Sequence, residues 1–248
     1  MGFSIPLMLY TTVFEGNSEV GAYAVLTNNY CLLGRSKSRV FYSTFQEILN
    51  VPIVECLINT IPTIGSLCQG NKHGLLVPHN TTDQELQHIR NSLPEEIKIK
   101  RLSERYNALG NVILSNDRIA LAHPDLSEES IEDISNVLCV EVIKQSIGRE
   151  PLVGTFAAIN NVGMLIQPNV DENELQELSK LLEVQIIAGT VNRGGVAIGG
   201  GLVVNDWVGF VGNDSTVHER SVIEKVFKLI SNSDDEVHKK ALIETHIN

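Results

Sequence analysis

Apolar residues recur along the chain in two alternating patterns: short runs of four or five, and stripes stepped by three and four. The runs are Tyr30-Cys-Leu-Leu33, Gly74-Leu-Leu-Val-Pro78, Ile119-Ala-Leu-Ala122, Gly163-Met-Leu-Ile166 and Val208-Gly-Phe-Val211. Short apolar runs bounded by turn residues predict buried strands. Asn71, Asn116, Asn160 and Asn205 precede the last four, and Thr27 fills the slot before the first. Asparagine tolerates left-handed backbone angles, so each marks a hairpin turn. The stripes Leu86-Ile89-Leu93, Ile131-Ile134-Leu138 and Leu175-Leu178-Leu182 each line one helix face, with Ile223-Phe227-Ile230 and Phe41-Phe45-Ile48 as less regular versions. Thr82-x-x-Glu85, Asp171-x-x-Glu174 and Thr216-x-x-Glu219 have the form of capping boxes at helix starts. The β-branched Ile53, Ile97, Val142 and Ile186 predict a third strand after each helix.

These elements repeat. Gly21, Gly65, Gly110, Gly154 and Gly199 are separated by 44, 45, 44 and 45 residues, and the turn residue falls six places after each. A self-similar period of this length is the mark of a repeat architecture. Each unit reads strand, strand, helix, strand, with room for a further short turn or helix before the next glycine. An open array requires polar caps at both ends. Here the fifth unit runs out after Ile230 into the polar Ser231-Asn-Ser-Asp-Asp-Glu236, and Thr11-Thr-Val-Phe14 offers the missing strand. The expectation is an α/β (α+β) closed ring of five β-β-α-β repeats, helices outside and strands around a channel made narrow and polar by strand ends. Residues 1–10 are expected as an extension, 11–230 as one domain, and 231–248 as a polar tail.

Composition limits what the ring does. The chain has 248 residues, 43% hydrophobic and 20% charged, which suits a folded globular protein. Its formal charge of -11 argues against phosphate backbones as the main ligand and is compatible with a basic protein partner. The four cysteines form no C-x-x-C pair, and no run of about 18 apolar residues offers a membrane span. The apolar Met1–Tyr10 stretch has no basic start and makes a poor secretory signal. No Walker A pattern and no ordered dinucleotide fingerprint is present, so no cofactor is expected.

Several stretches carry a family likeness. They are Gly70-Asn-Lys-His-Gly-Leu-Leu-Val-Pro78, Asn80-Thr-Thr-Asp-Gln-Glu-Leu-Gln-His-Ile-Arg-Asn-Ser-Leu-Pro94, Ala108-Leu-Gly-Asn111, His123-Pro-Asp-Leu126, Ala188-Gly-Thr-Val-Asn-Arg-Gly194 and Val203-Val-Asn-Asp-Trp207. The chain resembles the translation initiation factor 6 family, the ribosome anti-association factors of eukaryotes and archaea, and its Asn80–Pro94 block resembles the eukaryotic branch. The resemblance implies the pentein fold. It implies binding to the joining face of the large ribosomal subunit, on a ribosomal protein beside the sarcin–ricin loop, with little direct nucleic-acid contact. It further implies a part in large-subunit biogenesis and nuclear export, release by a partner GTPase with its cofactor protein, and a cytoplasmic and nuclear or nucleolar location. A monomer is expected, with no membrane association. The sequence departs from the family at Met1–Tyr10, in the basic loop Gly34–Val40, at Ser66 (often Arg in relatives) and in the tail from Ser231.

A contact face is expected on loops at corresponding ends of the units. Gly110-Asn111, with Tyr106 just before, reads either as a ribosomal-protein contact or as a strand-start turn whose glycine requires an angle closed to β-branched residues. Asn192-Arg193 reads either as an interface contact or as a structural salt bridge. Ser66 and Thr155 follow their repeat glycines and are assigned to the same face. The recurrent asparagines read as turn-formers, His73 as a hairpin residue and Trp207 as core packing in a strand. A rival reading is an arginine-modifying enzyme on the same kind of ring, which requires a late nucleophilic cysteine. Every cysteine here lies at or before Cys139, leaving His123 and Asp125 without one. A third reading is a structural or signalling scaffold.

Overall fold

The computed structural model describes residues 8–229. Five three-stranded sheets are arranged so that the second strand of each hairpin is central, antiparallel to the first and parallel to the third. In the first unit Ala24–Leu26 pairs with Cys31–Gly34, which pairs in turn with Ile53–Cys56. The predicted runs Ile119–Ala122 and Gly163–Ile166 are strands over those same residues. A long helix follows the second strand of each unit: Arg39–Ile48, Asp83–Ser92, Glu128–Leu138, Glu172–Leu182 and Val217–Phe227; in the first four it leads on to the third strand. Thr82 with Glu85, and Thr216 with Glu219, form full capping boxes that satisfy free amides in the first turn.

The helix stripes explain the core. Each helix buries its apolar face between its own sheet and the sheet before it, giving five apolar clusters rather than one. Val25, Leu32 and Val54 of unit one pack with Leu75, Ile89 and Leu93 of unit two. The cluster that joins unit five to unit one holds Phe41, Phe45, Val208 and Phe210. There the Phe45 and Phe210 rings stack with centroids 3.9 Å apart.

The strand Met8–Thr12 completes the fifth sheet, pairing parallel to Val208–Gly212 from Met8 opposite Val208 to Thr12 opposite Gly212. It begins three residues inside the stretch expected to be an extension. Of the expected tail, residues 231–248 lie outside the described residues.

The start of the unit is where the sequence reading left a short turn or helix open, and the structure places a helix there, before the hairpin. The repeat glycines occupy the second position of one-turn helices at Val20–Tyr23, Ile64–Leu67, Leu109–Val112, Val153–Phe156 and Ile198–Gly201. None of the five has a side-chain cap, so no capping signature marks them in sequence.

Candidate functional site: the glycine face of the ring

The one-turn helices pack against one another around the axis at one end of the ring. A Cβ on Gly65 would collide with the Gly21 carbonyl oxygen, and one on Gly110 with that of Gly65. The series continues from Gly154 to Gly110, Gly199 to Gly154 and Gly21 to Gly199, returning to its start. These glycines are required by close backbone approach. Gly110 is not among the positive-φ glycines, so its role is steric, contrary to the angle expected from sequence.

At the other end of the inner strands the hairpin asparagines form a second ring. Asn71 donates its side-chain amide to the Asn116 carbonyl at 3.1 Å, Asn116 to Asn160 at 3.1 Å, Asn160 to Asn205 at 3.0 Å, and Asn205 to Thr27 at 3.0 Å. Their Oδ1 atoms accept the amides that close each turn, as His73 and Gly74 donate to Asn71. They are turn-formers, as expected, and also bonds between units. One residue further on, the amides of Asn28 and Asn161 each bridge the carboxylates of Asp117 and Asp206 at 2.7–2.8 Å. This layer escaped the sequence reading, although its spacing of seven beyond the repeat glycines was visible in it. Between the two ends the channel narrows to a cavity of about 90 Å³ beside Val25, Leu114, Ala158 and Val203. Its exposed lining is more polar than apolar, as expected from sequence, with Gln69 donating to Ser115 at 3.0 Å in its wall. The cavity is well below the roughly 300 Å³ of a small-molecule pocket. Trp207, expected as core packing in a strand, sits instead in the turn, one residue before Val208–Gly212, and is only half-buried.

Ser66, Asn111 and Thr155 take the same position in three consecutive one-turn helices, each directly after the repeat glycine. All three are half-buried. The side chains of Ser66 and Asn111 have no hydrogen-bond partner among the described residues, and the Thr155 hydroxyl is buried without one. Ser66 and Asn111, unpaired and partly exposed, are the natural place for an external donor or acceptor, whereas the Thr155 hydroxyl is closed off in the free protein.

Tyr106 stands beside this row, three residues before Leu109. Its ring packs on His123 at 4.6 Å between centroids, with the Arg105 guanidinium 4.7 Å from its own centroid. Asn192 and Arg193 lie in a left-handed turn before Ile198–Gly201, at φ of 50° and 65°. They part company there. Asn192 donates to the Ser18 carbonyl and Glu19 and accepts from Ser215, so it ties unit five to the start of the ring. Arg193 is exposed, its guanidinium 3.9 Å from Asp214.

Glu219 anchors that turn. It accepts from the amides of Arg193 and Gly194, from its own helix start at Thr216, and from the Thr190 hydroxyl. Burial pushes its carboxyl up, but the Thr216 and Gly194 amides and the two threonine hydroxyls outweigh it and hold it at about 2.

Three of the four thiols are poorly placed for nucleophilic chemistry. Cys31, Cys56 and Cys68 are buried, and burial pushes all three thiols up, Cys56 to about 12. Cys139 is exposed at the end of a helix, its Sγ 3.2 Å from the Lys98 ammonium. His123 accepts the Asp125 amide on Nδ1 at 3.0 Å and is buried under Tyr106.

The eIF-6 family model matches residues 9–226. The chain belongs to the eIF-6 family. It is 53% identical over 237 residues to eukaryotic translation initiation factor 6 of Encephalitozoon cuniculi, covering 96% of this chain and 98% of that protein. Factor 6-2 of Arabidopsis thaliana is 50% identical over 240 residues, covering 94% and 98%. Factor 6 of Saccharomyces cerevisiae is 46% identical over 244, covering 96% and 100%. Among solved structures, the DDAH of Pseudomonas aeruginosa, as a cysteine-to-serine mutant complexed with citrulline, superposes with a TM-score of 0.52 at 10% identity, over 92% of each chain. That likeness concerns the fold alone and agrees with a pentein ring.

Proposed function

We propose that this eIF-6 family member is a translation factor that binds the joining face of the large ribosomal subunit through its glycine face and keeps the small subunit away by occupying that surface. One observation carries the reading. Ser66, Asn111 and Thr155 form a row of polar groups without hydrogen-bond partners among the described residues, held on a ring whose recurrent asparagines bond internally. Tyr106, three residues before the helix that carries Asn111, and the exposed Arg193 add an aromatic surface and a multi-donor cation, types enriched at protein interfaces. The bulk charge of -11 favours a basic ribosomal protein beside the sarcin–ricin loop over direct RNA contact.

The action is steric and calls for no catalytic group or cofactor. Release then falls to a partner GTPase and its cofactor protein. The same binding accounts for a role in large-subunit maturation and export, with the monomer working in nucleus, nucleolus and cytoplasm. Co-sedimentation with separated ribosomal subunits tests the reading. Binding to the large subunit alone is expected. Equal binding to both, or to neither by a folded protein, would overturn it.

A further inference from the structure

The seam between units two and three sets an amine against a thiol. Lys98 opens the third strand of unit two, opposite Gly74. Glu141 and Gln185 open the third strands of units three and four, opposite Ile119 and Gly163. The helices of units three, four and five end on left-handed residues, Cys139, Glu183 and Lys228, at φ of 55°, 53° and 53°. The positions that bring Lys98 to Cys139 are therefore held by Glu141 and Glu183 at the next seam, and by Gln185 and Lys228 at the one after. Of these three couples, the first alone joins an amine to a thiol.

The couple is in contact. Lys98 Nζ donates to Cys139 Sγ at 3.2 Å and to the Asn136 carbonyl at 3.1 Å. Asn136 lies in the last turn of its helix, where carbonyls have no partner within the helix, so its oxygen holds the amine at the sulfur. Lys98 and Cys139 are both exposed, whereas Cys31, Cys56 and Cys68 are buried. A dissolved oxidant reaches Cys139 first, because thiol oxidation follows exposure. The Leu138 carbonyl, next to Cys139, accepts the Asn71 amide at 2.8 Å, so the couple lies at the asparagine end of the ring, away from the glycine face.

We propose that hydrogen peroxide couples Lys98 to Cys139 through a single oxygen atom, making a reversible Nζ–O–Sγ bridge that fastens unit two to unit three. One peroxide oxidises the thiol to the sulfenic acid, releasing water. A second replaces the sulfenic hydroxyl with a hydroperoxyl group, releasing a second water. The ammonium loses a proton to solvent, and the free amine attacks the oxygen bound to sulfur. The O–O bond breaks, and the departing hydroxide takes a proton from nitrogen and leaves as the third water. Sulfur and nitrogen each lose two electrons, and each peroxide gains two. The joined residues are 41 apart in sequence, so the bridge restricts the unfolded chain as a disulfide does and raises the melting temperature.

The experiment treats the reduced full chain with hydrogen peroxide and follows intact mass, peptide maps and melting. The proposal expects a species one oxygen heavier and two hydrogens lighter, with the Lys98 and Cys139 peptides joined. Its melting temperature should be higher, and dithiothreitol should reverse both changes. Methionine oxidation adds oxygen without removing hydrogen, so mass tells the two apart. Cys139→Ser and Lys98→Arg, both at exposed positions, should fold as the parent does and form no bridge. Oxygen added to Cys139 with the two peptides still separate would overturn the proposal. So would an unmodified Cys139, a Cys139 disulfide between two chains, or a bridge that persists in Lys98→Arg.

Discussion

The Asn205 side-chain amide donates to the Thr27 carbonyl oxygen at 3.0 Å across 178 residues of sequence. The same asparagine accepts the amides of Trp207 and Val208, both at 2.9 Å. One buried side chain therefore closes its own turn and the ring. Asn205→Ala leaves the Thr27 carbonyl and two turn amides without this partner, and should cost about 3 kcal/mol. Chemical denaturation measures this. A loss under about 0.5 kcal/mol would show that the bond does not help to hold the ring shut.

Gly110→Val should be worse tolerated, since its new side chain meets the Gly65 backbone, which has no flexible end to move aside. A penalty of about 3 kcal/mol or more is expected, as for severe overpacking. Gly110→Ala should show most of the same loss, because the first added carbon already collides. A mild alanine variant beside a severe valine variant would point to backbone angle or side-chain bulk instead.

Acid should weaken the turn that carries Arg193. Glu219 has a folded pKa of about 2, below its unfolded value, so its contribution is fully present above about pH 4.5 and fades as pH falls toward 2. A shift of this size corresponds to about 3 kcal/mol. Glu219→Gln should therefore lower stability at pH 7, and its deficit against the parent should close as pH falls toward 2. Melting curves across this range test it. A deficit that stays constant with pH would remove the carboxylate from the argument.

Asn111→Ser should separate binding from folding. The Asn111 side-chain amide has no partner among the described residues, so its shortening should change stability by no more than about 0.5 kcal/mol, as for surface positions. Binding to the large subunit should weaken roughly ten-fold, the equivalent of about 1.4 kcal/mol. Normal affinity would strike Asn111 from the face. Asn192→Ala should behave in the opposite way, destabilising the ring through its bonds to Ser18, Glu19 and Ser215.

Much of the ring was legible because its signals are periodic and local. The glycine and asparagine spacings, the helix stripes and the missing last strand were enough to predict five units and closure. The one-turn helices were legible only as a further short turn or helix, without position, being four residues long and without caps. Gly110 was recognised as special for the wrong physical reason, because a close approach by Gly65 is a tertiary fact that no local pattern records. The candidate face was legible in part. Ser66, Asn111 and Thr155 share a repeat position, so periodicity groups them. Asn192 and Arg193 are sequence neighbours whose different roles appear only when the partners Ser18, Glu19 and Ser215 are brought to one of them.

The most direct test of the account is a subunit-joining assay, with purified large and small ribosomal subunits followed by light scattering as magnesium is raised. The account predicts that the protein, added first to the large subunit, keeps the signal at the level of separate subunits, and that Asn111→Ser requires a higher concentration to do so. Joining at the same rate and extent with saturating folded protein would contradict it.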